Sequence, residues 1–226
     1  MMARAFFITG TDTNIGKTFV ATLVARALKA RGIDIGVMKP VETGCAVKDG
    51  ALVPMDAVAL KEAAESGDPL DLINPYRFSP PLSPNVAARL SGVEIDLIKI
   101  ETAFKMLSAV HEIIIVEGAG GLLVPLNDDQ NMADLVVRLK ARLLIIAPSR
   151  LGVINHTLMT CECARALGID VAGVILNHPA PRPDDASVKY NRSEIERYAP
   201  VLADIPYTPA GDILPELPEA LLKVFK

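Results

Sequence analysis

Residues 10–18 combine glycines, a lysine and a threonine in a pattern that can bind a nucleoside triphosphate. They read Gly-Thr-Asp-Thr-Asn-Ile-Gly-Lys-Thr, after an apolar run and before a segment with helical spacing. Backbone N–H groups of such a loop surround phosphates at a helix N-terminus, the lysine neutralises the outer phosphates, and the threonine hydroxyl joins a magnesium shell. Gly16, Lys17 and Thr18 therefore predict this site, with a chance glycine turn as the alternative. Five residues separate Gly10 from Gly16, one more than in the common loop.

Glu117 is a candidate second magnesium ligand. It follows the apolar run Ile113–Val116 and precedes the glycine-rich residues 118–121. A buried strand would deliver this carboxylate beside the phosphate-binding loop, where a metal bound to phosphates needs a further oxygen ligand. The glycines would let the backbone approach a ligand closely. An acidic residue in an ordinary turn is the alternative.

Lys39 and Asp56 are two further candidates whose roles stay open at this point. Pro40 favours an extended conformation for Lys39 at the end of a predicted strand. A lysine in that place is also explained as a solvated surface charge. Asp56 precedes a helical pattern, so it could bind metal or cap the helix.

Short apolar runs alternate with longer segments of helical spacing along the chain. This order predicts a single-domain, doubly wound α/β fold over residues 1–226, with a mainly parallel sheet and helices on both faces. The predicted strands are roughly Ala5–Thr9, Ile35–Val41, Glu112–Glu117, Leu143–Pro148, Val171–Asn177 and Val201–Pro206. The predicted helices are Lys17–Ala30, Asp56–Glu65, Glu94–Val110, Met132–Lys140, Ile154–Leu167 and Ser193–Tyr198, and the proline-rich stretches Asn74–Pro84 and His178–Asp185 are interpreted as surface loops. Open α/β sheets bind ligands beyond the carboxyl ends of their strands, where the candidate residues lie.

The composition argues against several classes of protein. Lys and Arg number 23 and Asp and Glu 27, the net charge is −4, there is no Trp, and 4% of residues are aromatic. We therefore expect no nucleic-acid partner. The cysteines and histidines show no disulfide or metal-ligand spacing. Because the first apolar run ends at Thr9, too early for a signal peptide or a membrane span, we expect a cytoplasmic protein with no membrane partner.

Several motifs, taken in order, resemble those of dethiobiotin synthetases. They are Gly10-Thr11-Asp12-Thr13, Gly16-Lys17-Thr18, Lys39-Pro40, Asp56, Val116-Glu117-Gly118-Ala119-Gly120-Gly121 and Gly152-Val153-Ile154-Asn155-His156. The resemblance runs from residue 5 to about residue 208 and includes the unusual loop spacing and the Lys-Pro pair. It implies a P-loop NTPase-like fold and a homodimer.

The resemblance implies an ATP-dependent ligase of biotin biosynthesis. Such an enzyme closes a cyclic urea on 7,8-diaminononanoate with carbon dioxide (supplied as CO2/bicarbonate), ATP and Mg²⁺. One substrate amine takes up carbon dioxide as a carbamate, the carbamate oxygen attacks the γ-phosphate, and the second amine displaces phosphate from the mixed anhydride. Positioning and charge neutralisation dominate phosphoryl transfer, which fits the lack of a recognisable nucleophile, base and orienting residue.

The resemblance also implies roles for individual residues. The catalytic residues would be Thr13, Lys17 and Lys39, and the magnesium ligands would be Thr18, Asp56 and Glu117. ATP would contact Asn14, Ile15, Gly16, Lys17, Thr18, Asp56, Glu117, Gly118, Ala119, Gly120, Asn177, His178, Pro206, Tyr207 and Thr208. The diamine would contact Thr43, Gly121, Leu151, Gly152, Asn155 and Tyr190. Its carboxylate would meet free N–H groups where residues 151–156 open a helix, partly across the dimer interface.

Two positions depart from the family pattern. Asn14 stands where many members carry an acid, and His178 follows Asn177 where an acid is common beside the adenine pocket. Neither change removes a phosphate or metal contact. If the usual acid orients the substrate amines, Asn14 implies weaker binding of the diamine.

Two other functions compete with this interpretation. A regulatory P-loop ATPase of the membrane or partition type has a similar fold, but it carries an extra lysine where this chain has residues 11–13, Thr-Asp-Thr. Its membrane versions end in a basic amphipathic helix, whereas Glu216 and Glu219 offset Lys223 and Lys226 here. An amidating synthetase of the cobyrinate type would need an attached glutaminase domain, for which 226 residues leave no room.

Overall fold

The computed structural model describes residues 3–209 and 211–226. Its strands are β1 (Arg4–Gly10), β2 (Ile35–Met38), β3 (Val41–Thr43), β4 (Ala46–Lys48), β5 (Ala51–Val53), β6 (Tyr76–Phe78), β7 (Ile113–Gly121), β8 (Arg142–Pro148), β9 (Val171–Asn177) and β10 (Val201–Ile205). Its helices are α1 (Lys17–Lys29), α2 (Met55–Ala63), α3 (Leu70–Ile73), α4 (Pro84–Leu90), α5 (Leu97–Ser108), α6 (Met132–Leu139), α7 (Val153–Ala166), α8 (Val188–Glu196) and α9 (Glu219–Lys223).

Six parallel strands form the central sheet, in the order β10-β9-β8-β1-β7-β2. They correspond to the six strands predicted from the sequence. β1 lies between β7 and β8, with Ile8 opposite Glu117 on one side and Leu144 on the other. Because β1, β7 and β2 are neighbours and parallel, their carboxyl ends meet at one edge of the sheet. That edge receives the phosphate-binding loop, Glu117 and Lys39.

Two hydrophobic cores flank the sheet, one on each face. Phe6 and Ile8 of β1 pack with residues of α1 and α2, whereas Phe7 packs with residues of α5, α6 and α7. Successive side chains of a strand point to opposite faces, so an apolar run without alternation needs a cover on both sides. The predicted doubly wound α/β fold is confirmed.

The predicted loop Asn74–Pro84 is wrong in part, because it contains a strand. β6 pairs in parallel with β3, and the side chains of Tyr76 and Phe78 are buried. The amide of Asn74 joins the two segments by donating to the carbonyl oxygens of Lys39 and Tyr76, at 2.7 and 3.1 Å. A strand of three residues has no recognisable period, and only its pairing with a distant segment defines it.

Several other elements differ from the sequence prediction, among them α8 and the short helices. α8 begins at Val188 instead of Ser193, so Tyr190 lies in a helix. Only Asn191 and Ile195 are buried along α8, which explains why its apolar period was too weak to mark the start. The short helices α3, α4 and α9 were not predicted, since each spans two turns or fewer and takes its stability from packing.

The C-terminal tail packs against the sheet. Leu221, Leu222 and Phe225 are buried, and the Phe225 ring lies 4.4 Å from that of Phe6, centroid to centroid. The apolar spacing of the tail is therefore used within the molecule. Among residues 3–209 and 211–226, the helices are all too short or too polar to cross a membrane.

His111 joins three segments of the chain away from the carboxyl edge of the sheet. Its Nδ1 lies 2.8 Å from Asp34 Oδ1, and its Nε2 lies 3.0 Å from Asp68 Oδ2. Burial alone would lower the pKa of His111, but the hydrogen bonds to Asp34 and Asp68 outweigh it, so the pKa lies above its ordinary value. The charged imidazolium thus favours the folded state.

Candidate active site

The phosphate-binding loop connects β1 to α1 and has an unusual backbone. Asn14 has a φ of 53° and Gly16 a φ of 85°, both in the left-handed region. A side chain at Gly16 would also collide with the amide of Asn177, so this position requires glycine on both grounds. Lys17 is the first residue of α1, and no side chain caps this helix. The N-terminus of α1 therefore faces the cavity with its N–H groups, as an anion site requires.

Lys17 points into the loop and is largely buried. Its Nζ donates to the carbonyl oxygen of Asp12 at 3.1 Å. Burial, and after it the neighbouring Lys39, lower the pKa of Lys17 to about 8, because the carboxylates of Glu117 and Asp56 offset these two effects only in part. The approach of an anionic phosphate would stabilise this ammonium, so the site favours a ligand with several negative charges.

Four side chains from four different segments form one polar network at the carboxyl edge. Lys39 Nζ lies 2.6 Å from Glu117 Oε1 and 2.9 Å from Asp56 Oδ2. The Thr18 hydroxyl donates to the same Glu117 oxygen at 2.7 Å. The sequence separates Thr18 from Glu117 by 99 positions and Lys39 from Glu117 by 78, so only the pairing of β1, β2 and β7 brings them together.

The network decides between the alternatives that the sequence left open. Lys39 is 4% exposed, so it is not a solvated surface charge. Burial alone would lower its pKa, but the carboxylates of Glu117 and Asp56 outweigh burial and raise the pKa of Lys39 above its ordinary value. Asp56 does not cap α2 with its side chain, and Glu117 lies inside the buried part of β7 and not in a turn.

The same residues fit a magnesium ion. Glu117 Oε2 is buried and has no hydrogen-bond partner among the described residues, which is costly unless a further group binds it. Thr18, Asp56 and Glu117 present oxygen atoms, the donors that Mg²⁺ prefers. Within the described residues no group of three His, Cys, Asp or Glu side chains could hold a metal alone. A magnesium ion here would take its remaining ligands from phosphate oxygens and water, as is usual for this ion.

The network opens into a cavity of about 550 Å³, called the main cavity below because it holds most of the predicted site residues. Its lining includes Thr13, Lys39, Thr43 and most residues expected to contact ATP: Asn14, Ile15, Gly16, Lys17, Thr18, Asp56, Glu117, Ala119, Gly120, Asn177, His178, Tyr207 and Thr208. Gly118 and Pro206 are not part of the lining. The structure thus collects the expected nucleotide residues around one space of the size of a small-molecule site.

Asn177 and His178, at the end of β9, also line the main cavity. The Asn177 amide donates to the carbonyl oxygen of Ile15 at 2.8 Å, which ties β9 to the phosphate-binding loop. Asn177 Oδ1 is buried and has no partner in the described structure. His178 Nε2 lies 2.7 Å from Asp204 Oδ1. One acceptor and one remaining amide hydrogen of Asn177 are therefore left for a ligand.

The residues expected to hold the diamine are more dispersed. Gly121 lines a neighbouring cavity of about 220 Å³ together with Thr11 and His156. Leu151, Gly152, Asn155 and Tyr190 are all exposed and line neither cavity.

Within the segment 151–156, which was expected to offer free N–H groups, the N–H of Leu151 donates to Asp185 Oδ2 at 2.9 Å. The hydroxyl of Ser187 and the Leu151 N–H hold the pKa of Asp185 below its ordinary value. The N–H groups of Ile154 and Asn155, in the first turn of α7, have no partner among the hydrogen bonds of the described residues.

Sequence reasoning missed two contributors to this site. Glu42 is buried in the wall of the main cavity. Its side chain accepts hydrogen bonds from backbone N–H groups of α2. Arg150 forms an ion pair with Asp12 at 2.9 Å and so links the phosphate-binding loop to the segment before α7. Pro54 at the start of α2 could have indicated that this helix needs an outside cap. No sequence signal pairs Arg150 with Asp12 across 138 positions.

Comparisons with known proteins show which family and fold the chain shares. A family model described as an AAA domain matches residues 4–212. The cell division ATPase MinD of Pyrococcus furiosus superposes with a TM-score of 0.57 at 16% identity, over 99% of this chain and 89% of that one, which shows a shared fold.

The chain is 44% identical over 208 residues to the ATP-dependent dethiobiotin synthetase BioD of Anaeromyxobacter dehalogenans (strain 2CP-1), covering 91% of each chain. It is 39% identical over 215 residues to the ATP-dependent dethiobiotin synthetase BioD of Thermodesulfovibrio yellowstonii, covering 91% of this chain and 90% of the relative. The resemblance seen in the motifs therefore extends over nine-tenths of the sequence. This chain belongs to the family of ATP-dependent dethiobiotin synthetases.

Proposed function

We propose that this protein forms dethiobiotin from 7,8-diaminononanoate, carbon dioxide and ATP, with magnesium, in biotin biosynthesis. The observation that carries the proposal is the convergence of Lys17, Lys39, Thr18, Asp56 and Glu117 on one cavity beside the N-terminus of α1. Two buried ammonium groups and a helix N-terminus suit a ligand with many negative charges. This is the charge pattern that transfer of a phosphoryl group to a carbamate demands.

The chain's own residues would act by holding charge and geometry. Lys17 and Lys39 would hold the carbamate oxygen and the migrating phosphoryl group, with the Thr13 hydroxyl as a further contact. Thr18, Asp56 and Glu117 would hold magnesium, which when bound would offset the charge of the phosphates. Displacement of phosphate by the second amine closes the ring and leaves ADP and inorganic phosphate.

Substrate binding would extend beyond the main cavity. We infer that the diamine lies between Thr43 and Gly121, with its carboxylate near the N–H groups of Ile154 and Asn155 at the start of α7. Leu151 is 80% exposed near the start of α7, so its side chain is accessible to a second copy of the chain. A homodimer would bring Leu151 and Tyr190 of one copy towards the substrate of the other.

We further infer a single domain that works in the cytoplasm, without nucleic acid or membrane. The net charge of −4 and the low aromatic content support the absence of a nucleic-acid partner. The free thiols of Cys45, Cys161 and Cys163 support a reducing compartment.

The decisive experiment measures ADP and phosphate release by the purified protein. Both products should appear only when the diamine and bicarbonate are present together, with dethiobiotin formed in equal amount. Omission of either substrate is the control. ATP hydrolysis that proceeds at the same rate without the diamine would instead support a regulatory ATPase.

A further inference from the structure

Glu42 is a buried carboxylate to which the proposed reaction assigns no role. It lies in β3, is 6% exposed, and belongs to the wall of the main cavity. Its Oε1 accepts a hydrogen bond from the backbone N–H of Asp56 at 3.0 Å, and its Oε2 accepts one from the N–H of Ala57 at 3.0 Å. Backbone N–H groups at the start of α2 thus engage both oxygens of Glu42.

The two N–H groups are those that a helix start leaves without internal partners. Asp56 and Ala57 are the second and third residues of α2, and a polar side chain at the N-cap usually accepts from these positions. The N-cap of α2 is Pro54, which has no side-chain acceptor. Glu42 provides the cap from 14 positions earlier in the chain. Its negative charge also faces the positive end of the helix dipole.

This cap fixes the backbone that carries the Asp56 carboxylate. Asp56 is 41% exposed, and its one side-chain partner among the described residues is Lys39, at 2.9 Å. Lys39 and Glu42 lie in the same short segment, which β6 anchors through its pairing with β3. Glu42 therefore connects the segment that carries Lys39 to the helix that carries Asp56. The distance between the Lys39 and Asp56 side chains depends on this connection.

Burial of the Glu42 carboxylate carries a free-energy penalty, which its two hydrogen bonds to backbone N–H groups reduce. Burial raises the pKa of Glu42 above its ordinary value, while the N–H groups of Asp56 and Ala57 oppose the rise. A serine or aspartate in place of Pro54, which is itself buried, would cap α2 from within its own segment. Unlike a local cap, the cap by Glu42 also joins α2 to β3, the strand next to the catalytic centre.

We propose that Glu42 is a positioning residue for the metal site. By anchoring the first turn of α2, it holds the Asp56 carboxylate where Asp56, Glu117 and Thr18 can share one magnesium ion. Glu42 acts through Asp56 and does not contact the ion. This inference rests on the proposed function for the presence of magnesium, and on the geometry of β3 and α2 for the role of Glu42.

The test is a double-mutant cycle on nucleotide binding, measured by calorimetry with ADP in the presence and absence of Mg²⁺. The proteins are the wild type, Glu42→Gln, Asp56→Asn and the double variant. Glu42→Gln keeps the size of the side chain but turns an NH2 group towards one of the two N–H donors. We expect the magnesium-dependent gain in ADP affinity to fall about tenfold in Glu42→Gln. Affinity without magnesium should stay unchanged.

The cycle separates an indirect role from a direct one. In the Asp56→Asn background, Glu42→Gln should change the magnesium-dependent gain by less than about twofold, because the residue through which Glu42 acts is already altered. Losses that multiply in the double variant would overturn the proposal, since Glu42 would then act on the metal or nucleotide independently. An unchanged gain in Glu42→Gln would overturn it as well.

Asn131→Ala is the matched control. It removes the side-chain cap of α6, where Asn131 accepts from the N–H groups of Ala133 and Asp134, away from the main cavity. It should lower the melting temperature and leave the magnesium-dependent gain intact. If Glu42→Gln does not fold, Glu42→Asp takes its place, with an intermediate loss expected because the shorter side chain retains one bond. If the cycle gives the expected result but the wild-type protein forms no dethiobiotin, only the proposed function is refuted. The positioning role of Glu42 would then stand.

Discussion

Lys39 Nζ lies 2.6 Å from Glu117 Oε1, and both side chains are buried at the carboxyl edge of the sheet. Glu117 lies in β7, and Lys39 directly follows β2, the neighbouring parallel strand. Their pairing makes Lys39 a structural counter-charge as well as a candidate catalytic group. Mutations at Lys39 should therefore affect both stability and turnover.

Lys39→Met should reduce turnover about a hundredfold, because it removes charge stabilisation at the phosphoryl group. It should also lower the free energy of unfolding by about 3 to 5 kcal/mol, since Glu117 is left buried without its partner. Binding of ADP should change little. Steady-state kinetics, urea unfolding and calorimetry measure the three effects.

The double variant Lys39→Met/Glu117→Gln is the control for this prediction. It should recover part of the lost stability, because the buried negative charge is gone, and it should remain inactive. Normal turnover in Lys39→Met would show that Lys39 has only the structural role.

Asp56→Asn and Glu117→Gln should each raise the magnesium concentration for half-maximal activity by about tenfold or more, because each removes a charged oxygen donor. The measurement is a magnesium titration of ADP release at saturating substrates. Asp128→Asn is the control, since this exposed acid pairs with Arg89 outside the cavity. Curves that superpose on the wild type would exclude both residues as metal ligands.

Asn177 should favour ATP over GTP by roughly fivefold to a hundredfold in kcat/KM, because its amide matches the donor and acceptor of adenine. The bond from its amide to Ile15 leaves only one hydrogen for the base, so we expect the lower part of this range. Asn177→Ala should reduce the preference and also weaken ATP binding through loss of the loop contact. Equal use of ATP and GTP by the wild type would show that Asn177 does not read the base.

His111 should make stability depend on pH. Its pKa is raised in the folded state above the ordinary value of 6.5. The stabilisation is therefore complete below the pKa of the unfolded chain and is lost as the pH rises through the folded pKa. Asp34 and Asp68 are the acidic side chains that contact the ring nitrogens.

His111→Gln should consequently cost most stability near pH 6 and least near pH 9. Urea unfolding of wild type and variant at both values measures the difference. A cost that is the same at both values would mean that packing of the ring, and not its charge, accounts for its contribution.

The sequence by itself determined the elements that have a long, strong pattern. Branched apolar runs fixed the six sheet strands, since only a strand covered on both faces is apolar at every position. The glycine spacing around Lys17 fixed the loop, because glycine is required where Gly16 adopts a left-handed conformation beside Asn177. These features depend on residues that are close together in the sequence, so a local pattern is enough to predict them.

Only the tertiary structure decided the contacts between segments that are distant along the chain. The strand order β1-β7-β2 buried Lys39 against Glu117 and overruled its interpretation as a surface charge. The pairing of β3 with β6 could not be predicted from the sequence, because a strand of three residues is too short to show a periodic pattern. Glu42 reached the start of α2 only through that pairing. Such contacts depend on which elements lie side by side, and no local pattern in the sequence encodes this order.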